Sequence, residues 1–339
     1  MKKHANLAIF VPHLGCPNRC SFCDQKRISG KAQAPTPEEV ASLCEKTLAQ
    51  LGGRAKNAEI AFFGGSFTAI DENQMVSLLK AAAGFVGESG FSGIRVSTRP
   101  DAVGPRKLEL LRAHGVTAVE LGVQSMDDRV LEINRRGHTA EDVRDAAGRI
   151  REYGFSLGVQ MMLGLPGDTA ETMMRTAEEL ALLSPDTGRI YPAVVLPGTM
   201  LAEWFEKGVY QPLSLDEAVC HTSRIMVNWT ERKIKIIRAG LHADPALERE
   251  ALAGPYHPAF RELCDAKIML DRLLQQIGSA PAGELRVRTR PEDLSRMLGH
   301  RRENAKTLME MGYRLKVIPD ARMEPLFPGL SETEEDSCV

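Results

Sequence analysis

Cys16, Cys20 and Cys23 form a C-x3-C-x2-C run that can present three thiolates from one short loop near the N-terminus. An electron-transfer [4Fe–4S] cluster takes four protein thiolates. Three leave one iron open, and an open iron binds a small molecule directly, so the cluster becomes a reaction site as well as an electron carrier. A structural zinc ion is the competing reading, with His13 as fourth donor, although such sites usually draw their ligands from two separated knuckles and no second pair is present. Cys44, Cys220 and Cys264 fall in helical stretches, where a thiol acts as a small apolar side chain. Cys338 is near the C-terminus.

Other groups able to meet a ligand stand at the ends of strand-like runs. Gly64 and Gly65 close one such run, followed by Ser66; paired glycines let the backbone approach a ligand, and a tight turn is the alternative. Ser97 and Arg99 close the next. Pro100 stops a regular ladder there and Arg99 keeps its charge, so Arg99 must meet an anion, water or the nearby Asp101. Gln124 ends a further run with an amide that both donates and accepts. Gln160 and Met162 alternate onto one strand face, suited to flanking an adenine or to core packing. Tyr191 faces a substrate or packs. His138 is a candidate acid or base, and equally a residue of a helix-capping loop.

These residues need a scaffold. Strand-like runs at 7–11, 59–63, 94–97, 118–123, 156–163 and 189–195 alternate with amphipathic stretches at 37–51, 72–85, 105–114, 139–153 and 169–183. That is the pattern of βα units around a parallel sheet. Thr36 before Pro37, with Glu39 two residues later, predicts a capping box. Six units are fewer than the eight of a closed barrel, so the expected α/β fold is a partial (β/α)6, TIM-like barrel with a smaller C-terminal α+β extension. The expected boundaries are 1–228 for the barrel, 229–320 for the extension and 321–339 for an acidic, disordered tail. Function in parallel barrels gathers where strands end, which is where the residues named above lie.

With 339 residues, 43% hydrophobic and 26% charged, the composition is that of an ordinary globular protein. No apolar run is long enough to span a bilayer. The N-terminal run 7–11 is cut short by Pro12 and His13, which argues against a signal peptide. Seven cysteines without a paired framework favour a reducing cytoplasm. The net charge of −2 is unevenly spread: residues 230–318 hold 17 Lys and Arg against 12 Asp and Glu, a net +5, and the remainder holds 26 against 33, a net −7. Within the basic part, Arg286, Arg288 and Arg290 alternate onto one strand face, and Arg301 and Arg302 follow. Such a surface can contact phosphates, or can be a charged edge strand protected from aggregation.

Taken in chain order, the cysteine run with Phe22 between its last two thiols, residues 62–67, 97–101, 122–125, 136–139 and 162–167 resemble the radical S-adenosylmethionine (SAM) enzymes. As a set they are similar to the radical SAM domain of the Elongator catalytic subunit and its shorter bacterial relatives. Residues 238–242 and 254–260 resemble that subunit's C-terminal region. The resemblance implies that Cys16, Cys20 and Cys23 hold a [4Fe–4S] cluster whose open iron chelates SAM. It implies reductive cleavage of SAM to a 5′-deoxyadenosyl radical, with a one-electron donor such as flavodoxin or ferredoxin. Phe22, Gly64, Gly65, Ser66, Ser97, Arg99, Gln124, Gln160 and Met162 would then line the SAM site, with Ser66 standing where the family pattern has a glutamate. The implied substrate is tRNA, met by Arg286, Arg288, Arg290, Arg301 and Arg302. The residues past Asp320 are too few for the acetyltransferase domain that follows in Elongator, since domains need at least ~50. The anaerobic coproporphyrinogen oxidase group shares the cysteine and Gly-Gly motifs, so a tetrapyrrole-like small molecule is the alternative substrate. A non-catalytic iron–sulfur or zinc module is the second alternative.

Overall fold

A computed structural model of the chain describes residues 5–11, 16, 19–24, 33–278 and 281–331. Seven strands lie side by side in chain order, every neighbouring pair parallel: β1 (Ala5–Val11), β2 (Ala58–Gly64), β3 (Ile94–Thr98), β4 (Val116–Gln124), β5 (Ser156–Leu163), β6 (Thr187–Pro192) and β7 (Lys235–Ala239). Among the described residues no pairing joins β7 back to β1, so the barrel is open. The helices between them are α1 (Pro37–Leu51), α2 (Glu72–Ala83), α3 (Pro105–Ala113), α4 (Asp128–Ile133), α5 (Ala140–Glu152), α6 (Ala170–Leu182), α7 (Met200–Glu206) and α8 (Leu215–Glu231). The capping box of α1 forms as expected, with Glu39 N–H donating to Thr36 Oγ1 and Thr36 N–H to Glu39.

Strand alternation divides the sheet into two faces. Ile60, Phe62, Val96, Leu121, Val159, Met161 and Ile190 point to the helices and join Val40, Leu78, Leu111, Ile150, Leu180 and Trp229 in one apolar core. Burying such side chains contributes about 1.5–3 kcal/mol each. The opposite face carries Arg95, Ser97, Glu120, Gln160 and Arg189, linked by hydrogen bonds inside the barrel. Gly158 keeps room for them, since a Cβ there would stand 3.0 Å from Glu120 Cγ and 3.1 Å from an Arg95 nitrogen.

The sheet has one strand more than the six expected. β7 opens on Lys235 and carries Arg238 opposite Arg189, so it lacks the apolar run that marks a buried parallel strand. The boundary expected at 228 falls inside α8. Beyond β7, α9 (Pro245–Glu250) precedes α10 (Phe260–Ile277), which spans two cores. Phe260, Cys264 and Ile268 belong to the barrel core; Met269, Leu273 and Ile277 pack with Leu285, Val287, Met297 and Leu308 of a small C-terminal unit.

That unit is a three-stranded sheet in which β8 (Gly283–Thr289) lies between β9 (Tyr313–Pro319) and β10 (Gly329–Leu330), with α11 (Leu294–Leu298) and α12 (Glu303–Glu310) in the β8–β9 crossover. β8 is therefore central, and the edge-strand reading of its arginines does not hold. Part of the tail expected to be disordered is structured. Arg272 donates to Leu326 O at 2.8 Å and Gln276 to Pro328 O at 2.7 Å, holding the segment before β10 on α10. Residues 332–339 and His13 lie outside the described residues. Among the described residues no helix is long and apolar enough to cross a membrane.

Candidate functional site

The cysteine loop leaves the end of β1 and is fixed far along the chain. Ser21 is fully buried: its Oγ donates to Asn134 Oδ1 at 2.5 Å, its N–H to Asn134 O at 3.2 Å, and its carbonyl accepts from Leu201 N–H at 2.8 Å. Asn134, just past α4, spends its amide protons on Val130 O (2.8 Å) and Pro166 O (2.9 Å), so its side chain is held before it meets Ser21. Phe22 and Met162 each pack against the buried cluster of Val130, Leu165 and Ala193. Cys16, Cys20 and Cys23 are half-buried, and Cys23 N–H donates to Cys20 O at 3.2 Å in the turn between them. Asn134→Ala is expected to destabilise the protein by about 1–3 kcal/mol, because it strands buried polar groups. Thermal unfolding checks this, and iron uptake should fall with it as the loop loosens.

The glycine turn meets the root of the same loop. Gly65 N–H donates to Val11 O at 2.8 Å, and Gly64 has φ +112 with its missing Cβ only 2.8 Å from that oxygen. Only glycine suits that backbone and that approach. Ser66 is buried with its Oγ 2.8 Å from Thr98 Oγ1 and accepting from Arg99 N–H at 3.2 Å, so this hydroxyl ties β2 to β3. Arg99 forms a two-pronged ion pair with Asp101 at 2.9 and 2.8 Å. Burial works against its charge, yet the Asp101 bonds, with the Cys20 and Cys16 thiolates adding, hold its pKa above the ordinary value.

Ser97 donates to Glu120 Oε1 at 3.2 Å, and Gln160 donates to the same carboxylate. Met162 packs against the same buried cluster as Phe22. Gln124 sits at an irregularity between β4 and β5 with φ 73, a left-handed conformation uncommon outside glycine, and its buried Oε1 has no partner among the described residues. Outliers of this kind gather at functional sites. His138 places Nε2 3.2 Å from Val123 O, and burial, then the Arg136 and Arg99 charges, push its pKa down to about 4. It is neutral at pH 7, its geometry is that of a structural residue beside the Thr139 cap of α5, and its Nδ1 has no partner.

Two contributors escaped the sequence reading. Arg136 is buried and donates to Cys20 Sγ at 3.1 Å and to Gly122 O, and its Nε has no partner among the described residues. Its sequence signal was the 136–139 run that also held His138. Glu120 is fully buried and receives Arg189 at 2.9 Å, with Arg95 at 3.8 Å. Burial alone would raise its pKa; the Arg189 and Arg95 charges overcome that and lower it. An unmatched acceptor on Gln124 and an unmatched donor on Arg136, beside the thiolates, fit a ligand that carries both an amino and a carboxylate group.

Away from the barrel, Arg286 and Arg288 share one face of β8 and Arg290 lies just past its end; they stand near Glu284 (2.9 Å), Asp320 (3.9 Å) and Glu292 (3.3 Å) respectively. Arg301 and Arg302 are exposed, with no carboxylate partner among the described residues, and both have left-handed backbone.

A family model, the radical SAM superfamily, matches residues 10–180, half of the chain, which includes the cysteine loop, the glycine turn, Arg99, Glu120, Gln124 and Arg136. The chain belongs to the radical SAM superfamily. Residues 185–270 match the radical SAM C-terminal domain, which runs through β7 and α10. The tRNA uridine(34) acetyltransferase of Dehalococcoides mccartyi is 29% identical over 241 residues, 61% of this chain and 52% of that protein. Human Elongator complex protein 3 is 29% identical over 206 residues, covering 54% of this chain and 38% of the relative. The heme chaperone HemW of Bacillus subtilis is 27% identical over 197 residues, covering 57% and 52%. Among solved structures, the archaeal Elp3 of Methanocaldococcus infernus lacking its N-terminus overlays with a TM-score of 0.62 at 21% identity, over 82% of this chain and 64% of that one. The chain spans about half the length of the first of these relatives. Superfamily membership implies a [4Fe–4S] cluster and SAM as cofactors in general.

Proposed function

We propose that Cys16, Cys20 and Cys23 ligate a [4Fe–4S] cluster, that SAM is held on its open iron, and that the chain acts on tRNA. Held by these three cysteines, a cluster would supply the one-electron chemistry of reductive SAM cleavage, by which hydrogen is removed from a substrate. The observation that carries the reading is a pair of buried atoms, Gln124 Oε1 and Arg136 Nε, that have no partner among the described residues, with Arg136 itself donating to Cys20 Sγ. Arg136 offers its guanidinium to the SAM carboxylate and Gln124 offers its amide oxygen to a donor on SAM. Gly64 and Gly65 keep the β2 turn against the loop root, where a side chain would block approach. Ser97 and Gln160 are oriented by Glu120. Phe22 and Met162 supply an apolar wall that excludes water.

The tRNA part rests on the tRNA-directed relatives and on the arginine face of β8, which Lys316 extends from β9 opposite Arg286. Anaerobically reconstituted protein with a reductant should release 5′-deoxyadenosine and methionine, faster with tRNA. Release stimulated by a porphyrinogen and indifferent to tRNA would favour the tetrapyrrole reading, towards which the HemW likeness points; no release would defeat the enzyme reading for this chain. Affinity for tRNA should fall steeply with salt. Changing Arg286, Arg288 and Arg290 to Gln should flatten the log–log slope by about 2 to 3 units if each meets a phosphate. An unchanged slope removes that face from the RNA contact.

A further inference from the structure

Inside the barrel, the cations outnumber the carboxylates that could neutralise them. Arg95 pairs with Glu59 at 2.9 Å and Arg189 with Glu120 at 2.9 Å. Arg238 has no carboxylate partner among the described residues; its Nε donates only to Gly240 O at 3.1 Å. Yet Arg238 is the register partner of Arg189 on the adjoining strand, so two guanidinium side chains leave the same face of neighbouring strands ~4.8 Å apart. Like charges placed directly across a strand pair are destabilising, and a half-buried charge without a partner is costly. Arg189 is further fixed over the Phe63 ring at 4.9 Å, and its Nη1 is 3.4 Å from Tyr191 Oη. Burial and the Arg189 charge lower the pKa of Arg238, as expected of a cation short of an anion.

We infer that Arg238 and Arg189, with Tyr191, form a subsite for an oxyanion of the substrate, a phosphate ester, inside the barrel mouth. The planar fork of arginine suits phosphate oxygens two at a time, and the tyrosine hydroxyl adds a neutral donor. Gln160, oriented by Glu120, sits between this subsite and the thiolate end of the barrel, so a phosphate held by Arg238 would set which part of the substrate faces the radical. The inference rests on the radical SAM reading for its position, not for its chemistry. It names the group by which a nucleotide unit would be gripped where reaction occurs, a role separate from the arginine face of β8.

The test uses the full chain and three probes: uridine 5′-monophosphate, uridine and inorganic phosphate. Uridine 5′-monophosphate should bind and raise the melting temperature of the native protein, and Arg238→Gln should weaken it by about tenfold or more while leaving uridine unchanged. Arg238→Lys should recover part of the loss. Inorganic phosphate competing as well as the mononucleotide would identify a free-phosphate site, and weaker competition a nucleotide one; either supports the oxyanion subsite. Without ligand, Arg238→Gln should melt at or above the native temperature, because it removes an uncompensated cation. A lower melting temperature with unchanged mononucleotide affinity would make Arg238 structural and overturn the subsite. The tRNA reading is judged apart: tRNA-stimulated SAM cleavage with equal affinity in native and Arg238→Gln protein removes the subsite and keeps that reading. Arg238-dependent mononucleotide binding with cleavage indifferent to tRNA does the reverse.

Discussion

Cys20→Ala protein, reconstituted anaerobically, should lose its cluster absorbance and release no 5′-deoxyadenosine above background, whereas Cys44→Ala and Cys264→Ala should keep both. The contrast follows from environment. Metal ligation requires the thiolate. Cys20 is half-buried with the Arg136 guanidinium 3.1 Å from its sulfur. Cys44 and Cys264 are buried among apolar side chains, and burial pushes their pKa up to about 11 and about 12. Iron and sulfide analysis of the variants reads the outcome directly. Full cluster retention in Cys20→Ala, or zinc in native material, would move the centre elsewhere.

Glu120→Gln should cost about 3–5 kcal/mol of folding stability, the range for breaking a buried ion pair by removing one partner. Among the described residues the carboxylate is the sole carboxylate partner of Arg189 and a second one for Arg95, and it receives Ser97 and Gln160 as well. The amide keeps the shape and loses the charge, leaving Arg189 beside Arg238 with no carboxylate partner among the described residues. Because its folded-state pKa lies below the ordinary carboxylate value near 4.3, the stabilisation is complete above that pH and is lost as pH falls through the lowered value. Native protein should therefore show an acid-dependent loss of stability that Glu120→Gln protein lacks. Denaturant titrations at neutral and acid pH test both statements, and equal stability of the two proteins at neutral pH would sink them.

The parts of the site that were legible in the sequence are those carried by local spacing. The cysteine run, the Gly64-Gly65 turn and the capping box of α1 depend on neighbours within a few residues, and six of the seven barrel strands announced themselves by apolar runs. β7 did not, because Arg238 belongs to the barrel interior and interrupts the apolar pattern. Glu120 was hidden for the same reason in reverse: a lone acid inside an apolar strand has no sequence mark of the arginines that meet it from β3 and β6. Arg136 stood in a recognised motif, but its reach to Cys20 spans 116 positions and is settled only by the fold. The shared face of Arg286 and Arg288 follows from local alternation, whereas Arg290 lies past the end of β8, and the central place of β8 depends on β10, a segment of weak strand character.

The tether at Ser21 also bears on the order of assembly. Its two partners, Asn134 and Leu201, are drawn from beyond β4 and beyond β6, so the loop cannot lock until most of the sheet has been laid down. Contacts of such long sequence separation are slow to form, because the intervening chain must be ordered before they are rewarded. The cysteine loop is thus locked only after β4 and the segment beyond β6 are in place. A partly folded chain would hold its thiols in a loose, unlocked segment, and the ordered pocket for iron would exist only once the scaffold that shields it is complete.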